Sequence, residues 1–340
     1  MTTYNDNEKA LIMLAQEASS KKRASLLDSV EEPCQLFDNF DEADETIKQL
    51  EKIGACAVCL GEKNYPTKLA QIYDPPVALF CRGDISLLNA DNSLAIVGTR
   101  KPTRYGRDVV TSFAKRFASN GICVISGLAR GIDTCAHKEM LDSGGKTIGV
   151  MANGIDKIYP PENRELAQQM ATYGLIVTEY PLGTSPLAYR FPERNRIISG
   201  LSDGVVIPEA GLNSGSLITA NCALDQGKEL FVVPGSIFSS ASAGANKMLQ
   251  ELQGTMVTSP DDILAKFGIT ADKPKENNIQ LTLEQGKIIT MLDDGEMHFA
   301  DILQKVDMNV GDLSALLSEM EIFGLVKKLS GNYYQNCQLV

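Results

Sequence analysis

The residues of this chain best suited to chemistry crowd around one glycine turn. Residues 93–106 read SLAIVGTRKPTRYG, a short apolar run that ends at Gly98 and Thr99 and passes at once into Arg100, Lys101 and Arg104, with Arg107 just beyond. A glycine turn behind a strand exposes backbone N–H groups, and cations beside it add attraction, so together they select an anion and above all a phosphate. Between residues 100 and 130 there are seven cations and a single acid, Asp108.

The same residue types follow every other apolar run of the middle region. SGLARGID contributes Gly127 and Arg130, ANGIDKIYP contributes Lys157, and PEAGLNSGS contributes Ser214, Gly215 and Ser216 at the start of a helical pattern. EYPLGTSP and PGSIFSSASAG are equally rich in small and hydroxylated residues. RFPERNRIISG (190–200) places Arg190, Arg194 and Arg196 around Asn195. Residues 194 and 196 do not share a helical face, so one can face a ligand while the other braces the fold, with Glu179, Glu193 or Glu209 as structural partners.

Known nucleotide fingerprints do not fit. After Gly98 comes Thr99-Arg100-Lys101-Pro102, which is no GxGxxG, and GGKT at 144–147 precedes a strand and lacks the first glycine of a phosphate loop. Catalytic residues are not expected. His137 lies four residues after Asp133 without a nucleophile placed beside them, and reads as structural. Glu179 and Glu209 end strands and could act as acid and base, but they serve equally as anchors for arginines. CAVC at 56–59 has no second pair, and His137 and His298 are the only histidines, so no metal or other cofactor is expected. The eight cysteines lie mostly in apolar or helical patterns and read as reduced core thiols.

These residues need a scaffold. The chain has 340 residues, 44% of them hydrophobic, enough for two or three units. No run of 18 apolar residues occurs and MTTYNDNEKA does not have the order of a signal peptide, so a soluble, cytoplasmic protein without a membrane partner is expected. The net charge of −11 is unevenly spread. Residues 1–92 hold 9 Lys+Arg against 16 Asp+Glu, residues 93–268 hold 17 against 16, and residues 269–340 hold 6 against 11. Acidic flanks thus surround a neutral middle with a cationic patch, and local patches bind phosphates.

From 93 to 268, apolar runs of about five residues alternate with amphipathic helices, the signature of a parallel sheet buried on both faces. LAIVG, ICVISG, TIGVMANG, LIVTE, GVVIPEA and LFVVPG are the predicted strands, with helices near 105–119, 133–143, 161–173, 190–199, 215–226 and 244–253. The fold class is α/β: an extended Rossmann-like, doubly wound, mostly parallel sheet over 65–268. A small helical domain, SAM- or HhH-like, is expected over 1–64, a linker over 269–282, and a winged helix of three short helices and a two-stranded ribbon over 283–340. A strand-like ACAVCL (55–60) is followed by NYPTKLAQIYDPPVALFCRGD, where Pro66, Pro75 and Pro76 rule out a long helix, and VALFCRGD thus reads as part of a connector. In an open parallel sheet, ligands bind outside the carboxyl ends of the strands, where all the glycine-rich segments fall. The presumed recognition helix, NVGDLSALLSEMEIF, has three acids and no Lys or Arg, which suits a protein partner better than DNA.

VGTRKPTRYG, SGLARGIDTCAH, GKTIGVMANGIDKIYPPEN, TEYPLG, FPERNRIISGLSDGVVIPEA, NSGSLITANCALDQGKELFVVPG and SAGANKML, in this order, resemble the DNA-processing protein A family (DprA, also called Smf). The resemblance is strong over 93–257. It implies a non-catalytic, homodimeric protein that binds and protects single-stranded DNA and helps load the recombinase RecA in natural transformation. It assigns DNA contacts to Arg100, to Lys157 and to Arg194, Asn195 and Arg196, within a site that also includes Gly98, Thr99, Lys101, Gly127, Arg130, Ser214, Gly215 and Ser216. Tyr105, Tyr159 and Phe191 are candidates for stacking on bases. The rival reading is an enzyme, a nucleotide phosphoribohydrolase with Glu209 at its centre, which PEAGLNSGSLIT loosely echoes. A third is an adaptor acting through the acidic ends.

Overall fold

The computed structural model describes residues 3–16, 20–269, 281–293 and 295–336. The chain divides into two compact units, residues 1–270 and 271–340. Most of the linker expected over 269–282 lies outside the described residues.

The first unit opens with α1 (Asp6–Leu14), α2 (Ser20–Leu27) and α3 (Asp41–Lys52). Asn5 caps α1 in a reciprocal capping box with Glu8. At the end of α3, Gly54 takes a φ of +67°, and Ala55 N–H closes back on Leu50 O, the left-handed stop that the glycine at this position predicts.

Strand β1 (Cys56–Cys59) then enters a nine-stranded sheet, followed by the one-turn helix α4 (Thr67–Ala70) and β2 (Ala78–Gly83). Strand β1 lies inside the 1–64 stretch read as a helical domain, yet it is hydrogen-bonded antiparallel to β2. Strand β2 corrects the reading of VALFCRGD as connector: it runs antiparallel to a core strand, with Phe80 opposite Thr178. The outer edge of β1 is closed by Tyr4, whose hydroxyl accepts from Ala57 N–H at 2.9 Å and donates to Ala57 O at 3.2 Å.

All six predicted strands form: β3 (Ser93–Ile96), β4 (Cys123–Ser126), β5 (Lys146–Val150), β6 (Leu175–Thr178), β7 (Gly204–Ile207) and β8 (Glu229–Val232). Their middle residues are buried, as a sheet covered on both faces requires. The helices between them are α5 (Arg104–Ser119), α6 (Ile132–Asp142), α7 (Arg164–Tyr173), α8 (Arg190–Leu201), α9 (Ser216–Asp225) and α10 (Ala243–Gln250). Pro161 opens a 3₁₀ turn just before α7 rather than the α-helix itself. A short β9 (Thr255–Met256) and α11 (Pro260–Lys266) complete the unit.

Strand order is β1-β2-β6-β5-β4-β3-β7-β8-β9. The chain winds outward from β3 in one direction through β4, β5 and β6, then restarts beside β3 with β7 and proceeds the other way. Neighbouring loops therefore diverge at the carboxyl ends of β3 and β7 and leave a crevice there. One core packs Ile197, Ile198 and Leu201 of α8 with Ala220 and Ala223 of α9 onto the sheet. A second joins α1 and α3 to Phe80, Met170 and Ile176.

The second unit contains α12 (Leu283–Leu292), β10 (Met297–His298), α13 (Phe299–Lys305), α14 (Val310–Ile322), β11 (Val326–Lys328) and β12 (Tyr333–Asn336). This is a winged helix. Its sheet has three strands in the order β10-β12-β11, since Met297 and His298 pair with Tyr334 and Tyr333 beside the expected two-stranded ribbon. Among the described residues, no helix is long and apolar enough to cross a membrane.

Candidate nucleic-acid interface

A cleft of about 490 Å³ opens at the switch point between β3 and β7. One wall is the turn Gly98–Lys101, the other is Asn213–Ser216 leading into α9, and Phe191, Arg194 and Asn195 of α8 form the floor.

The turn is held from both sides by its backbone. Thr99 N–H donates to Glu209 O at 2.9 Å, while Ile132 N–H donates to Thr99 O at 3.2 Å. Lys101 N–H folds back onto Thr99 Oγ1 at 3.2 Å. Gly131, with a φ of +83°, lies so close that a Cβ there would come within 2.4 Å of Thr99 O. The contact between the two loops thus requires glycine on conformational and steric grounds together. Glu209, 1% exposed, grips Thr103 through both carboxylate oxygens. Contrary to the anchoring role expected of it, Glu209 forms no ion pair with an arginine among the described residues, because Thr103 and the closely packed Gly106 occupy the space around its carboxylate.

This bracing leaves the side chains of Arg100 and Lys101 exposed at the cleft. Arg100 forms no ion pair among the described residues, and its guanidinium carbon lies 5.3 Å from the centre of the Phe191 ring. Phe191 in turn meets the Tyr159 ring edge-on at 5.8 Å. Across the cleft, the Ser214 and Ser216 hydroxyls are 2.7 Å apart, and a Cβ at Gly215 would meet nothing within 4 Å. A cation stacked on an aromatic ring, opposite hydroxyls at a helix start, can hold a phosphate and an adjacent base.

Two arginines of α8, Arg194 and Arg196, are consumed by the fold. Arg194, 3% exposed, donates to Gly127 O at 2.7 Å and to Val150 O, and so ties α8 to the ends of β4 and β5. Burial pushes its guanidinium down to about 10, against the pull of nearby Asp133. Arg196 points to the far side, where it meets Glu179 twice at 2.8 Å and Asp74 at 3.2 Å. Burial works against that charge, but the two carboxylates outweigh it and leave the group raised. Of the predicted pair, neither extends into the cleft as a free cation.

Other expected residues also lie apart. Gly127 N–H is taken by Asp133 at 3.1 Å, and a Cβ at Gly127 would meet Arg194 Nη2 at 2.5 Å. Arg130 pairs with Glu162 at 2.6 Å on the surface. Lys157, exposed, donates to Gly183 O on the neighbouring loop. None of these three, nor Arg196, lines the cleft. The structure therefore brings together Gly98, Thr99, Arg100 and Lys101 with Arg194, Asn195, Ser214, Gly215 and Ser216. It adds Asp133, which orders the β4–α6 loop by accepting from Gly127 and Ala129 N–H, and which sequence spacing linked only to His137.

His137 is fully buried, its Nδ1 2.7 Å from Thr147 Oγ1. The Thr147 hydroxyl donates to Val124 O, so His137 supplies the proton of the shared bond and is neutral; burial drives its pKa down to about 3. Burial likewise raises the Cys56 thiol. Among the described residues, seven cysteines are free and no cluster of three or more His, Cys, Asp or Glu is placed to hold a metal.

Comparison with known proteins places the chain among relatives. Residues 57–268 match the model of the family described as DNA recombination-mediator protein A, and residues 271–332 match the DprA winged helix domain. DNA processing protein DprA of Bacillus subtilis (strain 168) is 43% identical over 229 residues, covering 67% of this chain and 74% of the relative. Protein Smf of Escherichia coli (strain K12) is 37% identical over 280 residues, covering 79% and 74%. The crystal structure of DNA processing protein A from Streptococcus pneumoniae superposes with a TM-score of 0.64 at 34% identity, covering 76% of this chain and 93% of that one. That of the Helicobacter pylori protein, described for its single-stranded DNA binding mode, gives 0.59 at 33%, covering 64% and 97%. With residues 57–268 and the winged helix both matched by family models, the chain belongs to the DNA recombination-mediator protein A (DprA/Smf) family.

Proposed function

We propose that this protein binds single-stranded DNA in the crevice between β3 and β7, without a catalytic step. The observation that carries the reading is Arg100: an exposed guanidinium with no carboxylate partner among the described residues, seated on Phe191 and facing the hydroxylated start of α9. Phosphates bind Arg100, Lys101 and the Ser214–Ser216 wall, while bases stack on exposed aromatic rings, so sequence preference is weak. The H. pylori relative's single-stranded DNA binding mode supports the assignment. Lys157 and Arg130, outside the cleft, extend the path of the strand.

The wider role is protection of incoming single strands and loading of RecA, in the cytoplasm, by a homodimer whose two clefts grip one strand and gain avidity without new contacts. The acidic face of α14 serves a protein partner. Titration of labelled single and double strands at several salt concentrations tests the core of this reading. Preference for the single strand, falling steeply with salt, is expected; equal or absent binding overturns it. Sedimentation with and without DNA tests the dimer, and RecA filament assembly on coated single strands tests loading.

A further inference from the structure

We infer a second nucleotide station beside the cleft, built by Tyr189 and Arg190 at the start of α8; the inference rests on the single-stranded DNA reading above. Arg190 was one of three arginines in RFPERNR, and the structure gives it a fate unlike the other two. Its guanidinium carbon lies over two tyrosine rings, 5.3 Å from the centre of Tyr180 and 5.4 Å from that of Tyr189. It donates to Ser185 O and forms no ion pair among the described residues. The neighbouring carboxylate, Glu193, accepts instead from the Tyr180 hydroxyl at 3.1 Å. The charge is thus oriented by rings and a carbonyl, and it is not neutralised.

Tyr189 is 56% exposed and Leu187 beside it is 44% exposed, so much of this surface is open to solvent. A tyrosine that exposed adds little to the core, and its open face suits a base. The position is contiguous with the cleft through the chain itself, since Phe191 follows Arg190 and carries Arg100. Tyr189 and Phe191, two residues apart, each carry a guanidinium that is free of ion pairs among the described residues, Arg190 and Arg100, an arrangement that suits a strand with alternating phosphates and bases. The β6–α8 loop is also the one that receives Lys157 at Gly183, which places a further cation along the same path.

The chain contains no tryptophan, so Tyr189→Trp creates a single reporter at the station. Binding of an oligothymidylate, followed independently by anisotropy of a labelled strand, is expected to quench that emission. Tyr189→Ala is expected to weaken binding about tenfold for long oligonucleotides, with Tyr189→Phe close to the parent, and to matter little for strands short enough to fill only the cleft. Arg190→Gln is expected to reduce the salt slope by about 0.7. Unchanged melting of the Tyr189 variants, whose ring is largely in solvent, separates the effect from folding. Strand binding that is intact by anisotropy while the tryptophan emission and the Tyr189→Ala affinity stay unchanged overturns the station and leaves the cleft standing. No binding by the parent protein overturns both.

Discussion

Glu209 accepts two hydrogen bonds from Thr103, one from the backbone N–H at 2.8 Å and one from the hydroxyl at 2.6 Å. A carboxylate at the end of β7 thereby fixes the far end of the turn that carries Arg100, which is a positioning role. Glu209→Gln replaces one acceptor by a donor that faces a donor, costing about 1–3 kcal/mol of stability. Single-stranded DNA affinity is expected to fall with the salt slope retained. Arg100→Ala is expected instead to lower the slope by about 0.7, the signature of a lost phosphate contact. Affinity measured across a salt series distinguishes the two.

The arginines of α8 predict a stability pattern. Arg194→Ala leaves two carbonyls unpaired and Asp133 buried without its neighbouring charge, at a cost of about 3–5 kcal/mol. Arg196→Ala acts in the same direction through Glu179, 4% exposed, which among the described residues keeps Arg23 at 3.4 Å as its ion-pair partner. Lys101→Ala, at the surface, is expected to stay within about 0.5 kcal/mol of the parent. Denaturant midpoints check the order.

Which of these roles can be read in the sequence follows from how local they are. The six central strands are legible because each is an unbroken apolar run, and their loops fall on one edge by topology alone. Strand β2 is not, since its pairing with β6 is non-local and its last residues, Arg82 and Gly83, lack the strand pattern. The i,i+2 spacing of Arg194 and Arg196 does place them on different faces. It does not reveal that Arg196 meets Asp74, 122 residues away, or that Arg194 ends on backbone carbonyls of two other strands. The glycine turn, hydroxyls and Arg100 that line the cleft are legible because a turn behind a strand is a local structure; the partners that use up a cation are not.

Buried His137 predicts a pH dependence. Its folded pKa of about 3 lies below the ordinary value of 6.5, so the unfolded chain binds the extra proton between those limits. Its contribution is complete above about pH 6.5 and is lost as pH falls toward 3, by about 1.4 kcal/mol per unit. His137→Leu removes this dependence. Between pH 7 and about pH 5, the parent is expected to lose about 2 kcal/mol more than the variant in denaturant titrations.

The winged helix predicts a result for truncation. Helix α14 exposes Asp312, Glu319 and Glu321, and no Lys or Arg lies within it. Removal of residues 271–340, a separate compact unit, is expected to change single-stranded DNA affinity by less than about threefold, since α14 brings no cation to phosphates. Anisotropy with the shortened chain is the measurement.

The phenol of Tyr4 has a consequence for the molecule's solution behaviour. Strand β1 is the border of a nine-stranded sheet, and its outward amide and carbonyl at Ala57 are satisfied by one side chain from near the start of the chain. Without that plug, the border would offer open backbone groups to any extended segment nearby, the template from which intermolecular sheets grow. The Tyr4 hydroxyl thus helps this border resist self-assembly, five strands away from the crevice beside β3.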